Sequence, residues 1–306
     1  MRALVISGGG SKGAFAGGVS QYLLQEANYN YDIFVGTSTG SLLVSHLALN
    51  KIEEIKKIYT SVDQASIFSS NPFLIKQDKS GNKQVSINHW RVLLSFLKRR
   101  KTFGESNNLR KLIANNLSIA DFQTLHQSNQ EVLVTVSNLT TNCVEFKALK
   151  HSSYNDFCDW IWASANFIPF MTLVQKNGCE YADGGFGNMV PIVEAINRGA
   201  KIVDVIVLET KFEDHHAERS KNAFALLTET AHFMAKRIEQ QNIHIGKLLA
   251  RNKGVLLNFY YTPTVLTTNP LIFDKQMMTR WWEEGYAYAK ARGNFQNEVR
   301  HHKESN

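Results

Sequence analysis

The chain has 306 residues, 43% hydrophobic and 20% charged, enough for one large domain or two modest ones. Three cysteines cannot form a disulfide framework, 18 Phe, 10 Tyr and 5 Trp argue against a largely disordered chain, and 19 Gly with 5 Pro exclude a collagen-like composition. The formal charge of +7 is concentrated: residues 76–111 hold ten basic and two acidic side chains, +8, while the remainder sums to −1.

In chain order, residues 2–7 read as a short buried strand running into Gly8-Gly9-Gly10-Ser11-Lys12-Gly13. Residues 14–27 follow as a helix with Phe15, Val19, Leu23 and Leu24 near one face. A second strand over 31–35 ends at Gly36-Thr37-Ser38-Thr39-Gly40, and 41–49 is a buried helix. Residues 51–75 are helical and then loop-like, and 76–88 are polar and turn-rich. Residues 89–101 form an amphipathic helix bearing Trp90, Val92, Leu93, Phe96 and Leu97, with a basic end over 98–101. A short helix covers 109–117. Strands are expected over 131–138 and 143–149, a helix over 156–166, and a short strand over 179–181 before Asp183-Gly184-Gly185. A helix over 191–197, an almost wholly apolar strand over 202–210, a long helix over 217–252, a strand over 255–262 and a closing helix over 274–292 complete the chain. Strands alternating with helices predict an α/β fold with a mainly parallel sheet. With no internal repeat or clean linker, the simplest division is one domain over 1–306. It carries a basic amphipathic insertion at about 76–111 and a helical C-terminal part from about 217.

Gly36-x-Ser38-x-Gly40 lies between an apolar strand and an apolar helix. The glycines permit a sharp turn, and the serine stands at the mouth of the helix, where free N–H groups and the dipole favour negative charge. Ser38 is therefore a candidate nucleophile, with a structural turn or an anion-binding loop as the alternative. The loop Gly8-Gly9-Gly10-Ser11-Lys12-Gly13 lacks the order of a P-loop. It is a poor dinucleotide fingerprint, because the second strand does not end in an acidic residue. A nest of N–H groups facing an oxyanion remains, with Lys12 either aimed at a phosphate or paired on the surface. A serine needs a base. None of the ten histidines sits in a glycine-turn context, and His46 is about 12 Å along the helix from Ser38. Asp183, in an Asp-Gly-Gly turn after an apolar segment, can serve as base directly if partly desolvated; the alternative is a turn-capping aspartate.

Those three motifs, in that order and spacing, together with Trp162-Ala163-Ser164-Ala165 and Pro169-Phe170, resemble the patatin-like phospholipase family over roughly residues 1–210. The resemblance implies a three-layer α/β/α fold and a Ser38–Asp183 dyad, with Gly9, Gly10 and the N–H of Thr39 as the oxyanion hole. It implies a phospholipase A, lysophospholipase or esterase that cleaves acyl esters of phospholipids, lysophospholipids or neutral lipids through an acyl-enzyme, without a metal or other cofactor. Two features depart from the family pattern: Asn166-Phe167-Ile168 stands before Pro169, and the C-terminal third matches less distinctly. A non-hydrolytic lipid-binding or scaffolding protein on the same fold, an acyltransferase and a nucleotide-binding enzyme are the alternatives.

Phe167, Ile168, Phe170, Met171 and Leu173 are candidates for an acyl trough, with ordinary core packing as the other reading. The helix over 89–101 can lean on an anionic bilayer or cover the site as a lid. Nucleic acid is not favoured, since no DNA- or RNA-binding signature accompanies the basic segment. The four-residue apolar run near the N-terminus is too short for a signal peptide. The expectation is a cytoplasmic protein, peripheral on membranes, with specialised secretion compatible. Cys143, Cys158 and Cys179 are expected as reduced thiols, and Trp281-Trp282 as core.

Overall fold

A computed structural model describes residues 1–77, 83–211 and 223–304. Lys79 and Asp78 of the basic segment, and residues 217–222 of the expected C-terminal helix, lie outside the described residues. The chain begins β1 (Arg2–Ile6), α1 (Gly13–Gln21), β2 (Ile33–Thr37), α2 (Thr39–Ala48), α3 (Ile52–Ser61) and α4 (Gln64–Ile67). It continues with β3 (Phe73–Gln77), β4 (Lys83–Ile87), α5 (His89–Leu97), α6 (Asn107–Asn116) and α7 (Ile119–Gln127). Next come β5 (Glu131–Asn138), β6 (Cys143–Ala148), α8 (Tyr154–Ser164), β7 (Val174–Lys176) and β8 (Cys179–Asp183). The last elements are α9 (Ile192–Asn197), β9 (Ile202–Thr210), α10 (Ala223–Lys253), β10 (Leu256–Thr262) and α11 (Lys275–Glu304).

The centre of the sheet is parallel: β10, β9, β1, β2 and β5 lie side by side with a common direction. β6, β8 and β7 add antiparallel pairings at the β5 side. Alternation along β1 sends Leu4 and Ile6 to one face and Ala3 and Val5 to the other, and every one of the four is fully buried. The first face is covered by α1, α2, α3, α8 and α11, the second by α9 and α10. The expected mainly parallel, three-layer α/β/α architecture is the observed one.

Two packing details explain how the layers close. Gly17 and Gly18 of α1 leave room for α11: a Cβ on Gly17 would lie 2.1 Å from the Trp282 ring. Trp281 and Trp282 are accordingly core residues. Asp204, the one carboxylate in the otherwise apolar centre of β9, is fully buried. It accepts from Arg2 Nε (2.6 Å), Tyr31 Oη (2.9 Å) and Asn258 Nδ2 (2.8 Å), which answers the cost of burying its charge.

The segment expected to be polar and turn-rich is instead an antiparallel hairpin, β3 with β4, separate from the main sheet. The expected helix over 89–101 ends at Leu97, and Arg99 takes φ 52° just beyond it, so the basic run follows the helix rather than capping it from within. All three cysteines are free. Among the described residues no helix is long and apolar enough to cross a membrane.

Candidate active site

The register of β5 brings two distant turns together. Its residues 133–135 pair with β2 on one edge and with β6 on the other. Its residues 136–138 also pair with β6, so β8, their second neighbour, lies on the edge that β2 has just vacated. β2 ends with Thr37 opposite Thr135, and β8 arrives from the opposite direction with Asp183 opposite Val136. The two strands meet head to head on successive rungs. The residue after the end of β2 is Ser38, and Ser38 Oγ donates to Asp183 Oδ2 at 2.6 Å.

The serine turn is built as its glycines require. Helix α2 packs so closely on β1 and β2 that a Cβ on Gly40 would lie 2.4 Å from the Ile6 carbonyl oxygen, and one on Gly36 2.4 Å from Gly40. Ser38 itself adopts φ 54°, ψ −120°, a left-handed conformation costly for a residue with a Cβ. That conformation raises its side chain toward Asp183 at the N-terminus of α2. Its N–H donates to Ser164 Oγ at 3.0 Å, and its carbonyl accepts from Ser41 N (2.9 Å) and Ser41 Oγ (2.5 Å), so the turn is held on both sides.

Asp183 is 3% exposed. Burial pushes its carboxyl up to about 7, against the Ser38 hydroxyl and the Gly185 N–H (2.8 Å to Oδ1), which both favour the ionised form. Its own N–H donates to the Asn166 carbonyl at 3.0 Å. Ser164 and Asn166, at and just beyond the end of α8, thus brace both members of the pair. In the sequence, the Trp162-Ala163-Ser164-Ala165 run is the one signal for this brace. Trp162 anchors the brace by donating from Nε1 to the Ser106 carbonyl at 3.1 Å, and Ser106 Oγ in turn bonds Asn166.

The glycine-rich loop follows β1, between β2 and β9, where the chain order reverses and ligands of open α/β sheets gather. A Cβ on Gly8 would sit 3.2 Å from Ser38 Cβ, so the loop lies against the serine. Gly10 takes φ 57°, and Ser11 N donates to the Pro270 carbonyl at 2.8 Å. Among the described residues, the N–H groups of Gly9, Gly10 and Thr39 have no protein acceptor. Thr39 N–H is one of the free donors of the first turn of α2. Lys12 does not point at an open anion site: it is buried and pairs with Glu209 at the end of β9. His46 is also buried, with Nε2 3.1 Å from the Asn116 carbonyl, and no histidine among the described residues touches Ser38.

Two of the residues expected for an acyl trough, Phe167 and Phe170, belong to an aromatic row. Phe167 stacks on Phe186 (5.0 Å between centroids) and on Phe170 (6.3 Å). Phe170 continues to Phe103, and Phe103 to Phe96 of α5. An aromatic row therefore joins the exposed helix α5 to the turn after Asp183, and none of the five expected residues lines the apolar cavity against α2.

A hydroxyl bonded to a buried, proton-hungry carboxylate beside unpaired backbone N–H groups can attack a carbonyl carbon and hold the resulting oxyanion. No curated protein matches the chain. Among solved structures, the crystal structure of VipD from Legionella pneumophila shares the fold, with a TM-score of 0.52 at 18% identity. The match covers 95% of this chain and 66% of that one. Residues 4–196 match the sequence profile described as patatin-like phospholipase. That stretch is more than half of the chain and contains the Gly8 loop, Ser38 and Asp183, and the protein belongs to the patatin-like phospholipase family.

Proposed function

We propose that the protein is a serine acyl hydrolase that cleaves carboxylic esters of phospholipids or lysophospholipids. The observation that carries this reading is the 2.6 Å hydrogen bond from Ser38 Oγ to a buried Asp183. In the first step the Ser38 proton passes to the Asp183 carboxylate as Oγ attacks the ester carbonyl carbon. The N–H groups of Gly9, Gly10 and Thr39 receive the oxyanion. The tetrahedral intermediate collapses, the C–O bond to the leaving alcohol breaks, and Asp183 returns the proton to that alcohol. Water then gives a proton to Asp183 and attacks the acyl-enzyme. The fatty acid leaves and Ser38 recovers its hydrogen. Each oxyanion donor is worth about 3 kcal/mol in such a site. A fluorophosphonate probe is expected to label Ser38 in the wild-type protein, and phosphatidylglycerol vesicles to release free fatty acid. Absence of both would leave the fold as a lipid-binding scaffold.

Helix α5 supports a membrane-facing reading of the same site. Trp90, Phe96 and Leu97 are 77%, 65% and 72% exposed. Only Ser95 of this helix is buried, so its apolar side chains meet solvent instead of core. Arg100 and Lys101 pair with Glu105 and Glu180, while Lys98 and Arg99 have no acidic partner among the described residues. Exposed aromatics beside free cations suit the interface of an anionic bilayer, where each cation contributes about 1 kcal/mol. The double substitution Lys98→Glu/Arg99→Glu is expected to weaken co-sedimentation with phosphatidylglycerol vesicles at least tenfold. Binding to neutral vesicles should change little. Equal binding of both proteins to anionic vesicles would remove the helix from this role.

A further inference from the structure

Helix α10 is longer than the strand that precedes it. β9 has 9 residues and α10 has 31, about 30 Å of strand against about 46 Å of helix. Their ends away from Ser38 are level: Lys253 closes α10, and Leu256 opens β10 opposite Ile202, the first residue of β9. β9 and β10 are parallel, so α10 runs back against β9, and about twenty residues of helix match the length of the strand. The part of α10 before about residue 234 therefore rises past the edge of the sheet at which Ser38 stands. The contacts agree. Asn242 Oδ1 accepts from Met189 N at 2.8 Å, and the Met189 side chain lies against Gly8 and Gly185. Further along, Glu239 and His232 come near enough to Lys12 and to Glu209, at the end of β9, for their charges to interact.

The protruding end is apolar on its outer face. Leu226, Leu227, Phe233 and Met234 are each between 53% and 63% exposed. A spacing of two turns returns Leu226 to Phe233 and Leu227 to Met234, so the four share one face, opposite the side that buries Glu239 and Ile243. Arg237 follows on the same face one turn nearer the sheet, ~5 Å along the axis. It is exposed, donates to Gln240 Oε1 at 2.7 Å and has no acidic partner among the described residues. Glu229, the one acidic residue between Leu226 and Arg237, stands at the flank of the face, near His232. Apolar side chains at a helix tip with a cation one turn behind them match the layers at the surface of an anionic bilayer, hydrocarbon boundary and then phosphate. A protein partner imposes no such order.

We propose that the protruding end of α10 is a membrane anchor: Leu226, Leu227, Phe233 and Met234 enter the hydrocarbon boundary of an anionic bilayer, and Arg237 meets its phosphates. The assignment rests on the lipid hydrolase reading above and adds a second contact to the one at α5. In sheet order Ser38, at the end of β2, lies between β9 and β10 on one side and β8 on the other. α10 covers the first pair, and the aromatic row ties the turn after β8 to α5. Two contacts on opposite sides of the dyad fix what one cannot. A single helix leaves the protein free to roll about its axis. With both engaged, the edge bearing Ser38 faces the lipid, and the ester reaches it without leaving the bilayer surface. The two contacts belong to one chain, so each raises the effective concentration of the other.

Two pairs of substitutions test the anchor, Leu226→Ser/Leu227→Ser and Phe233→Ser/Met234→Ser. All four side chains are exposed, so circular-dichroism melts should match the wild type. Each pair is expected to weaken co-sedimentation with phosphatidylglycerol vesicles at least tenfold and to lower fatty-acid release from them in proportion. Meanwhile kcat/KM for the water-soluble p-nitrophenyl butyrate should stay within twofold of the wild type. Phe233→Trp should add quenching by brominated phosphatidylglycerol beyond that of the parent protein. Folded variants that bind vesicles like the wild type, with no added quenching, overturn the anchor. If Lys98→Glu/Arg99→Glu still weakens binding in that case, α5 stands, α10 alone falls, and its face is left to a protein partner. A wild type that turns over the soluble ester but binds no vesicle overturns the anchor and keeps the hydrolase. Lost vesicle binding in both α10 pairs, in a protein that cleaves neither substrate, would support the anchor and sink the hydrolase reading.

Discussion

Ser38→Ala is expected to lower ester kcat/KM by at least ~10⁴-fold, because nucleophile and base act as one unit and neither substitutes for the other. The fold should survive, since the backbone of the turn is held by Ser164, Ser41 and the close packing of Gly36 and Gly40, none of which needs the Ser38 hydroxyl. A second substitution separates the cost of the turn from the chemistry. At φ 54° any residue with a Cβ is strained, by roughly 1–3 kcal/mol. Ser38→Gly should therefore be inactive like the alanine variant, yet melt at a higher temperature than it. The strain holds the hydroxyl at the top of the sheet, and stability is lost for that placement. More than a tenth of wild-type turnover in purified Ser38→Ala would take the nucleophile's role from this residue. A glycine variant no more stable than the alanine one would remove the strain argument while leaving the chemistry intact.

The sequence carried the architecture where burial writes a strong pattern. β9 read as a central strand because it is apolar on both faces, and it does lie between β10 and β1. β3 and β4 were missed for the opposite reason: this hairpin stands apart from the main sheet and imposes no clean alternation on its residues. The glycine turns disclosed Ser38 and Asp183 because close approach and left-handed backbone restrict residue type. Their meeting was not legible in the same way. It depends on β8 taking over the edge of β5 at Val136, and strand register is a property of pairing partners 43 and more residues apart. Lys12 shows the same limit, since its partner Glu209 lies at the end of a strand 197 residues away. The packing of Phe167 and Phe170 was beyond the sequence as well: their rings stack on each other, and Phe167 stacks on Phe186.

The pH dependence should reveal the base. Burial lifts the Asp183 carboxyl to about 7, and only its ionised form can take the Ser38 proton. Ester kcat/KM is therefore expected to climb about tenfold per pH unit below 7 and to level off above it. Asp183→Asn should cost roughly 10³–10⁴-fold at pH 8 and abolish that limb, because an amide accepts no proton at any of these pH values. Stability should move the other way. With a folded value near 7 and an ordinary value of 3.8, the native state holds a proton that the unfolded chain releases between about pH 4 and 7. The protonated acid thus favours folding at low pH, and that contribution is lost as pH rises through 7. Ionising the buried group costs on the order of 4 kcal/mol by pH 8. Asparagine has no such charge to bury, so Asp183→Asn should melt above the wild type at pH 8, with the gap closing toward pH 5. A carboxylate that only capped its own turn would have an ordinary acidity, give a flat activity profile from pH 5 to 9, and lose stability on conversion to asparagine. Opposite signs for activity and stability at one residue mark a group kept ionisable in a place where an uncharged one would fold better.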